Sequence, residues 1–294
     1  MRHIPFLLFA LVWVFHTWTA DAVEGGRKTL QGTVIANSVV AVYDPENSHL
    51  CTGVLVSRTA VLTDAHCGDT GSAISIMFEN HVVGHLTDGH SLPVSHFEPS
   101  PLWADERGKP SDRGDLALAI LEGAAPYPYR PASLLEVDRG SSYWRNQVGA
   151  VAGYGTTAYD RFQGGGFLHD APLTSPAWDW GATELLVSDK KVATCDGDSG
   201  APLLEVLPSG VLGVSALVSR GLLNYEPRLC SHRFGLTKLM PFREWIDDVL
   251  GRYGAGPAIW VKVRPPVLSQ APEPGNGDDL SKGVPAVRPS TSGG

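Results

Sequence analysis

The sequence predicts an all-β protein built in two halves, with one helix near its C-terminal end. Three observations carry that expectation. Short runs rich in β-branched and small residues recur along the chain, separated by turn-forming clusters. A proline-rich stretch, Ala125-Pro126-Tyr127-Pro128-Tyr129-Arg130-Pro131, divides these runs into two sets. Helical periodicity is convincing in a single segment, Pro241 to Leu250.

Residues 1–22 stand apart from this pattern. Arg2 and His3 precede an apolar run from Phe6 to Phe15, and Ala20-Asp21-Ala22 fits a small-x-small cleavage site, so a secretory signal peptide is expected there. The run is too short to span a bilayer comfortably as a mature helix. A secreted protein, extracellular or periplasmic, with no membrane association after cleavage is the expectation. An uncleaved anchor is the alternative.

In the first half, about 32–122, the expected strands are Val39 to Tyr43, Thr52 to Val56, Ala60 to Thr63 and Leu116 to Leu121. Asp44-Pro45-Glu46-Asn47 and Gly68-Asp69-Thr70-Gly71 supply turns. In the second half, about 135–240, strands are expected at Gln147 to Tyr154, Leu185 to Ser188, Pro202 to Val206 and Val211 to Ser219. Leu207-Pro208-Ser209-Gly210 joins the last two as a hairpin turn. In the helix, Phe242, Trp245, Ile246, Val249 and Leu250 share one face, and Pro241 suits the first turn. Proline, glycine and serine dominate residues 252–294, which reads as a disordered tail with a short docked strand at Ile259 to Val263.

The totals narrow the function. The chain has 294 residues, and 18% charged residues with a net charge of -8 argue against binding a nucleic-acid backbone. Four cysteines in an exported chain suggest disulfides. Of the three possible connectivities, the one made of the two local bonds is expected: Cys51–Cys67 and Cys195–Cys230. His81, His85, His90 and His96 cluster in sequence without a common zinc spacing, so no metal is expected, and no cofactor either.

Three motifs carry chemistry: Thr63-Asp64-Ala65-His66-Cys67, Asp115-Leu116-Ala117-Leu118-Ala119-Ile120, and Cys195-Asp196-Gly197-Asp198-Ser199-Gly200-Ala201-Pro202. A serine hydroxyl needs a base to take its proton, and histidine supplies one with a pKa near neutral. The order, spacing and cysteine placement of these motifs resemble the chymotrypsin/trypsin family of serine peptidases, over about residues 23–251.

That resemblance implies two antiparallel β-barrels with an active site in the cleft between them. It implies a triad of His66 as general base, Asp115 as orienting carboxylate and Ser199 as nucleophile. It implies an oxyanion hole from the backbone N–H groups of Gly197 and Ser199. A freed α-amino group at Val23 would pair with Asp198, because Val23-Glu24-Gly25-Gly26 resembles the family's mature start, with Glu24 where an apolar residue is usual. Ala193 stands at the base of the specificity pocket and Gly221 at its wall. Without a carboxylate at Ala193, a small or apolar P1 side chain is expected over Arg or Lys. Ser219-Arg220-Gly221 is one match for the wall segment and Val214-Ser215-Ala216 the competing one; either Phe234 or Gly235 faces the pocket.

Two departures stand out. Asp64 replaces a small residue beside the histidine, and the third disulfide common in animal members is missing, which points to a divergent or microbial member. The partner implied is a protein or peptide substrate; the sequence sets no oligomeric state. An inactive peptidase-like binding protein and an esterase with the same triad are the rival functions.

Overall fold

The computed structural model describes residues 23–68, 71–82, 90–106, 113–137, 143, 149–156, 165–222 and 230–263. The expected signal peptide, His85, the turn residues Asp69 and Thr70, Gln147 and residues 264–294 of the expected tail lie outside the described residues.

Six strands of the first half close into an antiparallel barrel. Their order is Val39–Asp44, His49–Ser57, Ala60–Thr63, Ala117–Leu121, Ser91–Pro99 and Ser75–Met77, which returns to the first. Register shifts at Leu55/Ser57 and Val94/His96 bend the strands, as closing a sheet requires. The sequence shows near-continuous apolar runs here because both faces are buried. Val40, Val42, Leu55, Val61, Ala119 and Leu121 point into one cluster. Their neighbours Val39, Ala41, Val54, Val56, Leu62, Leu118 and Ile120 point into another, shared with Leu204, Leu212, Leu217 and Ile246 of the second half. Period-two alternation thus fills the barrel with one set of residues and glues the halves together with the other. Each such valine or leucine contributes about 1.5–3 kcal/mol on leaving water.

Beside a two-stranded pair of Thr194–Cys195 and Cys230–Ser231, the second half holds, among the described residues, a ten-stranded sheet. Its path runs through Arg27–Lys28, His169–Pro172, Ala150–Gly153, Pro202–Val206, Leu212–Gly221, Arg233–Lys238, Glu184–Ser188 and Trp178–Asp179. Ser133–Glu136 joins it parallel to Leu212–Gly221, and Ile259–Lys262 pairs parallel to Ser133–Glu136. The Leu207–Gly210 turn closes with the Gly210 N–H donating to the Leu207 carbonyl at 2.8 Å. Leu185, Val187, Leu203, Ala216, Val218, Phe234 and Leu236 form this half's own core. The architecture is the two-barrel, all-β one, with the C-terminal helix packed across it.

The proline-rich connector is pinned rather than loose. Arg58 donates to the carbonyls of Tyr129 (2.6 Å) and Ala125, and the Arg130 N–H donates to Asn37. The helix spans Arg243–Arg252, preceded by a 3-10 turn over Met240–Phe242 that takes in Pro241. Phe242, Ile246, Val249 and Leu250 are buried.

Candidate active site

His66 sits in a one-turn 3-10 helix, Ala65–Cys67, that follows the Ala60–Thr63 strand. Two covalent and polar restraints fix this turn. The Cys51–Cys67 disulfide ties it to the His49–Ser57 strand. The His66 backbone N–H donates to Asp115 Oδ1 at 3.1 Å. Asp115 precedes the Ala117–Leu121 strand and is 3% exposed.

The side chains of the three motifs meet. His66 Nδ1 lies 2.8 Å from Asp115 Oδ2, and His66 Nε2 lies 2.9 Å from Ser199 Oγ. An ionised carboxylate only accepts, so Nδ1 carries the ring hydrogen and Nε2 is left to accept from the serine hydroxyl. Ser219 Oγ donates to Asp115 Oδ2 at 2.7 Å. The carboxylate therefore receives three hydrogen bonds in a buried position, which fix its orientation.

Ser199 lies on a turn whose peptides are individually anchored. The Asp196 carbonyl accepts from the Thr156 N–H at 2.8 Å, and the Asp198 carbonyl from the Ala201 N–H at 2.9 Å. In a trans peptide the N–H points opposite to the C=O. Pinning those two oxygens thus turns the N–H groups of Gly197 and Ser199 the other way, and neither donates to any group among the described residues. The turn also requires glycine. Gly197 has φ +99°, and a Cβ there would meet Gly155 Cα at 2.8 Å; Gly200 has φ +80°, and a Cβ there would meet the Thr52 carbonyl oxygen at 2.0 Å.

Thr52 was not legible as a site residue. Its N–H donates to the Ser199 carbonyl at 2.7 Å and its hydroxyl to the Gly197 carbonyl at 2.8 Å, while the Tyr154 N–H donates to that hydroxyl at 3.0 Å. Nothing in the local sequence marks a threonine in a strand for this task. Ser219 was named as part of a wall; its bond to Asp115 is a second role that only the folded chain reveals.

Asp198 is fully buried. Its carboxylate accepts from the Gly155 and Cys195 N–H groups at 2.9 and 2.8 Å, and no cation pairs with it among the described residues. Burial pushes its pKa up to about 7, against the pull of the two N–H donors. Val23 is buried in the second core, and as long as it is peptide-bonded to Ala22 it has no α-amino group to offer. The Glu24 carbonyl accepts from the Ala193 N–H at 3.0 Å, and the Glu24 carboxylate lies 4.0 Å from His232 Nε2.

Beside Ser199 opens a cavity of about 220 Å³, lined by Thr194, Asp196, Ser219, Arg220, Gly221 and Ser231 together with the Cys195–Cys230 disulfide. Gly221, expected at the wall, is among the residues lining this cavity. Ala193 differs from expectation: it is fully buried against the disulfide rather than lining the cavity. The Glu24 carbonyl, which accepts its N–H, and the Cys195–Cys230 disulfide are its neighbours. Ser215 of the competing wall match donates instead to the Leu203 carbonyl at 3.3 Å. Phe234 belongs to the second core, and Gly235 faces the Trp180 ring. Arg220 bonds Glu184 at 2.6 Å and stands over the Trp180 ring.

Among the described residues, two clusters bring possible metal-binding atoms within 4.8 Å: Cys51, His66 and Cys67, and Asp64, His66 and Asp115. The first has its sulfurs in a disulfide, and the second is spanned by the His66–Asp115 hydrogen bond, so neither is assigned to a metal. Of the histidine run, His81 stacks on Phe167 and His96 packs on Tyr253.

The chain is similar to several known proteins. Residues 25–223 match the family model described as Trypsin. Granzyme M of Homo sapiens is 28% identical over 256 residues, covering 78% of this chain and 89% of that protein. Granzyme M of Rattus norvegicus is 27% identical over 273 residues, covering 85% and 98%. Granzyme F of Mus musculus is 28% identical over 176 residues, covering 55% and 68%.

Proposed function

Since the chain belongs to the trypsin family and is a serine endopeptidase by that membership, we propose that His66, Asp115 and Ser199 are its catalytic triad and that it cleaves peptide bonds through an acyl-enzyme. The observation that carries this is the unbroken line of hydrogen bonds from Asp115 through His66 to Ser199, at 2.8 and 2.9 Å.

The reaction follows from the donors and acceptors. Ser199 Oγ forms a bond to the scissile carbonyl carbon as its proton passes to His66 Nε2. The carbonyl oxygen takes up negative charge and accepts from the N–H groups of Gly197 and Ser199, the proposed oxyanion hole. Asp115 stabilises the imidazolium formed. His66 then gives the proton to the departing amine, the C–N bond breaks, and the acyl group remains on Ser199. Water, deprotonated by the same imidazole, releases the acid and restores the serine.

The substrate class is a protein or peptide with a small or apolar P1 side chain. Support comes from the cavity beside Ser199, whose 220 Å³ is below the ~300–1,000 Å³ of ordinary ligand pockets.

The peptidase unit is assigned to residues 23–251, with a leader at 1–22 that directs secretion and a tail from 252. Removal of the leader would free the Val23 amine to pair with Asp198, whose buried carboxylate has no cation of its own among the described residues. Labelling with a fluorophosphonate tests the central assignment. The wild-type protein should label and Ser199→Ala should not; labelling that persists in that variant, or is absent from the wild type, overturns it.

A further inference from the structure

Asp64 occupies the N-cap of the His66 turn, where an aspartate ordinarily accepts from the N–H groups of its own helix. It does not do so here. The His66 N–H goes to Asp115 instead, and the Asp64 side chain reaches into the second half, where Oδ2 accepts from the Gly200 N–H at 2.8 Å. Gly200 shares this N–H with the Val218 carbonyl, also at 2.8 Å, in a three-centre bond. Asp64 Oδ2 is also 3.9 Å from His66 Nδ1. Asp64 Oδ1 is buried without a partner.

The carboxyl is fully buried and has an oxygen within 4.8 Å of one on Asp115. Two anions at that separation in a dry site repel strongly. The hydrogen bonds decide which one keeps the charge. Asp115 receives the His66 N–H, the His66 ring N–H and the Ser219 hydroxyl. Asp64 receives one shared N–H and leaves an oxygen orphaned.

We propose that Asp64 is a positioning residue for the reacting pair: it holds the Gly200 end of the nucleophile turn against the histidine turn, and it does so as a neutral acceptor. The assignment rests on the triad reading above. The groups facing Asp64 are His66 of its own turn, Asp115 ahead of the Ala117–Leu121 strand, and Arg220 of the Leu212–Gly221 strand. Burial, then the Asp115 charge, hold the Asp64 carboxyl well above the usual carboxylate range, against the Gly200 N–H and the Arg220 charge. The distance between His66 Nε2 and Ser199 Oγ is thereby set from behind both residues. In displacement chemistry a misplacement of about 1 Å lowers the rate about 100-fold.

The test compares Asp64→Asn and Asp64→Ala with the wild-type full chain, using kcat, KM, the acid limb of the pH profile and thermal unfolding. The asparagine side chain keeps an oxygen for Gly200 without any charge. The expected result is kcat within about threefold of wild type and an unmoved acid limb for Asp64→Asn, and a kcat about 10-fold lower at nearly unchanged KM for Asp64→Ala. Full kcat in Asp64→Ala overturns the proposal. So does an Asp64→Asn protein as slow as Asp64→Ala, or one whose acid limb moves down by half a pH unit or more, about the shift expected if an anion had been lost. If Asp64→Ala does not fold, the pH profile of Asp64→Asn decides alone. Wild-type protein that fluorophosphonate leaves unlabelled would instead remove the triad reading itself.

Discussion

Thr52 and Gly197, 145 residues apart, are joined across the two halves by a 2.8 Å bond from the threonine hydroxyl to the glycine carbonyl. The peptide that follows Gly197 is held at both ends, because the Asp198 N–H donates to the Cys195 carbonyl at 3.0 Å. The first half therefore shapes the turn that carries the nucleophile. Thr52→Val removes the hydroxyl at nearly constant volume and strands the Gly197 carbonyl and the Tyr154 N–H. A loss of about 1–3 kcal/mol in unfolding free energy is expected, with a lower kcat. Urea denaturation and steady-state kinetics on one preparation check both; unchanged values would remove Thr52 from the machinery.

Activity should fall with decreasing pH as His66 takes up a proton, since an imidazolium cannot accept from Ser199. The pH dependence of kcat/KM on a neutral peptide measures this. A flat profile from pH 8 to about pH 4 contradicts a histidine base.

Asp198 gives stability its own pH dependence while residue 22 remains attached. Its folded pKa of about 7 lies above the ordinary carboxylate value. The folded state then holds a proton that the unfolded chain has released, so stability falls as pH rises from about 4 to about 7. The whole effect is on the order of 4 kcal/mol. Asp198→Asn should flatten that part of the curve, and removal of residues 1–22, with a cation then available at Val23, should reverse its sign. Thermal unfolding across this range, on all three proteins, is the measurement.

The Cys51–Cys67 bond spans 16 residues. Replacing both cysteines with alanine should lower stability by about 3 kcal/mol. Because Cys67 follows His66 directly, kcat should fall as well. Denaturant titration and peptide hydrolysis separate the two effects.

Chromogenic peptides with Ala, Val or Leu at P1 should be cleaved at least ~10-fold faster than the Arg peptide. Gly221→Val should depress kcat/KM for all of them, because a Cβ at Gly221 would meet Ser231 Cβ at 2.9 Å on the wall of the cavity. Faster cleavage after Arg would refute the preference.

Much of the architecture was legible because its cause is local. The Val39–Asp44 and Pro202–Val206 strands open with runs, Val39 to Val42 and Pro202 to Leu204, that are apolar and buried on both faces, and the 207–210 turn closes around Gly210. The Ser91–Pro99 strand was missed because its residues are largely exposed or half-buried and include two prolines. His169–Pro172 was missed because His-Asp-Ala-Pro has no strand pattern; partners on both sides impose it. Motif order pointed to His66, Asp115 and Ser199. The contacts of Thr52, Ser219 and Asp64 depend on residues more than a hundred positions away, and no local pattern encodes such a meeting.

The Ile259–Lys262 segment covers the free side of Ser133–Glu136, and Trp260 fastens it to the helix through Asp247 at 2.9 Å. A chain shortened just after Arg252 would bare a row of unsatisfied amides and carbonyls on Ser133–Glu136, the kind of template on which two molecules zip together. The last stretch before the proline-rich end thus serves as a selvedge, keeping the fabric of one molecule from unravelling into that of the next.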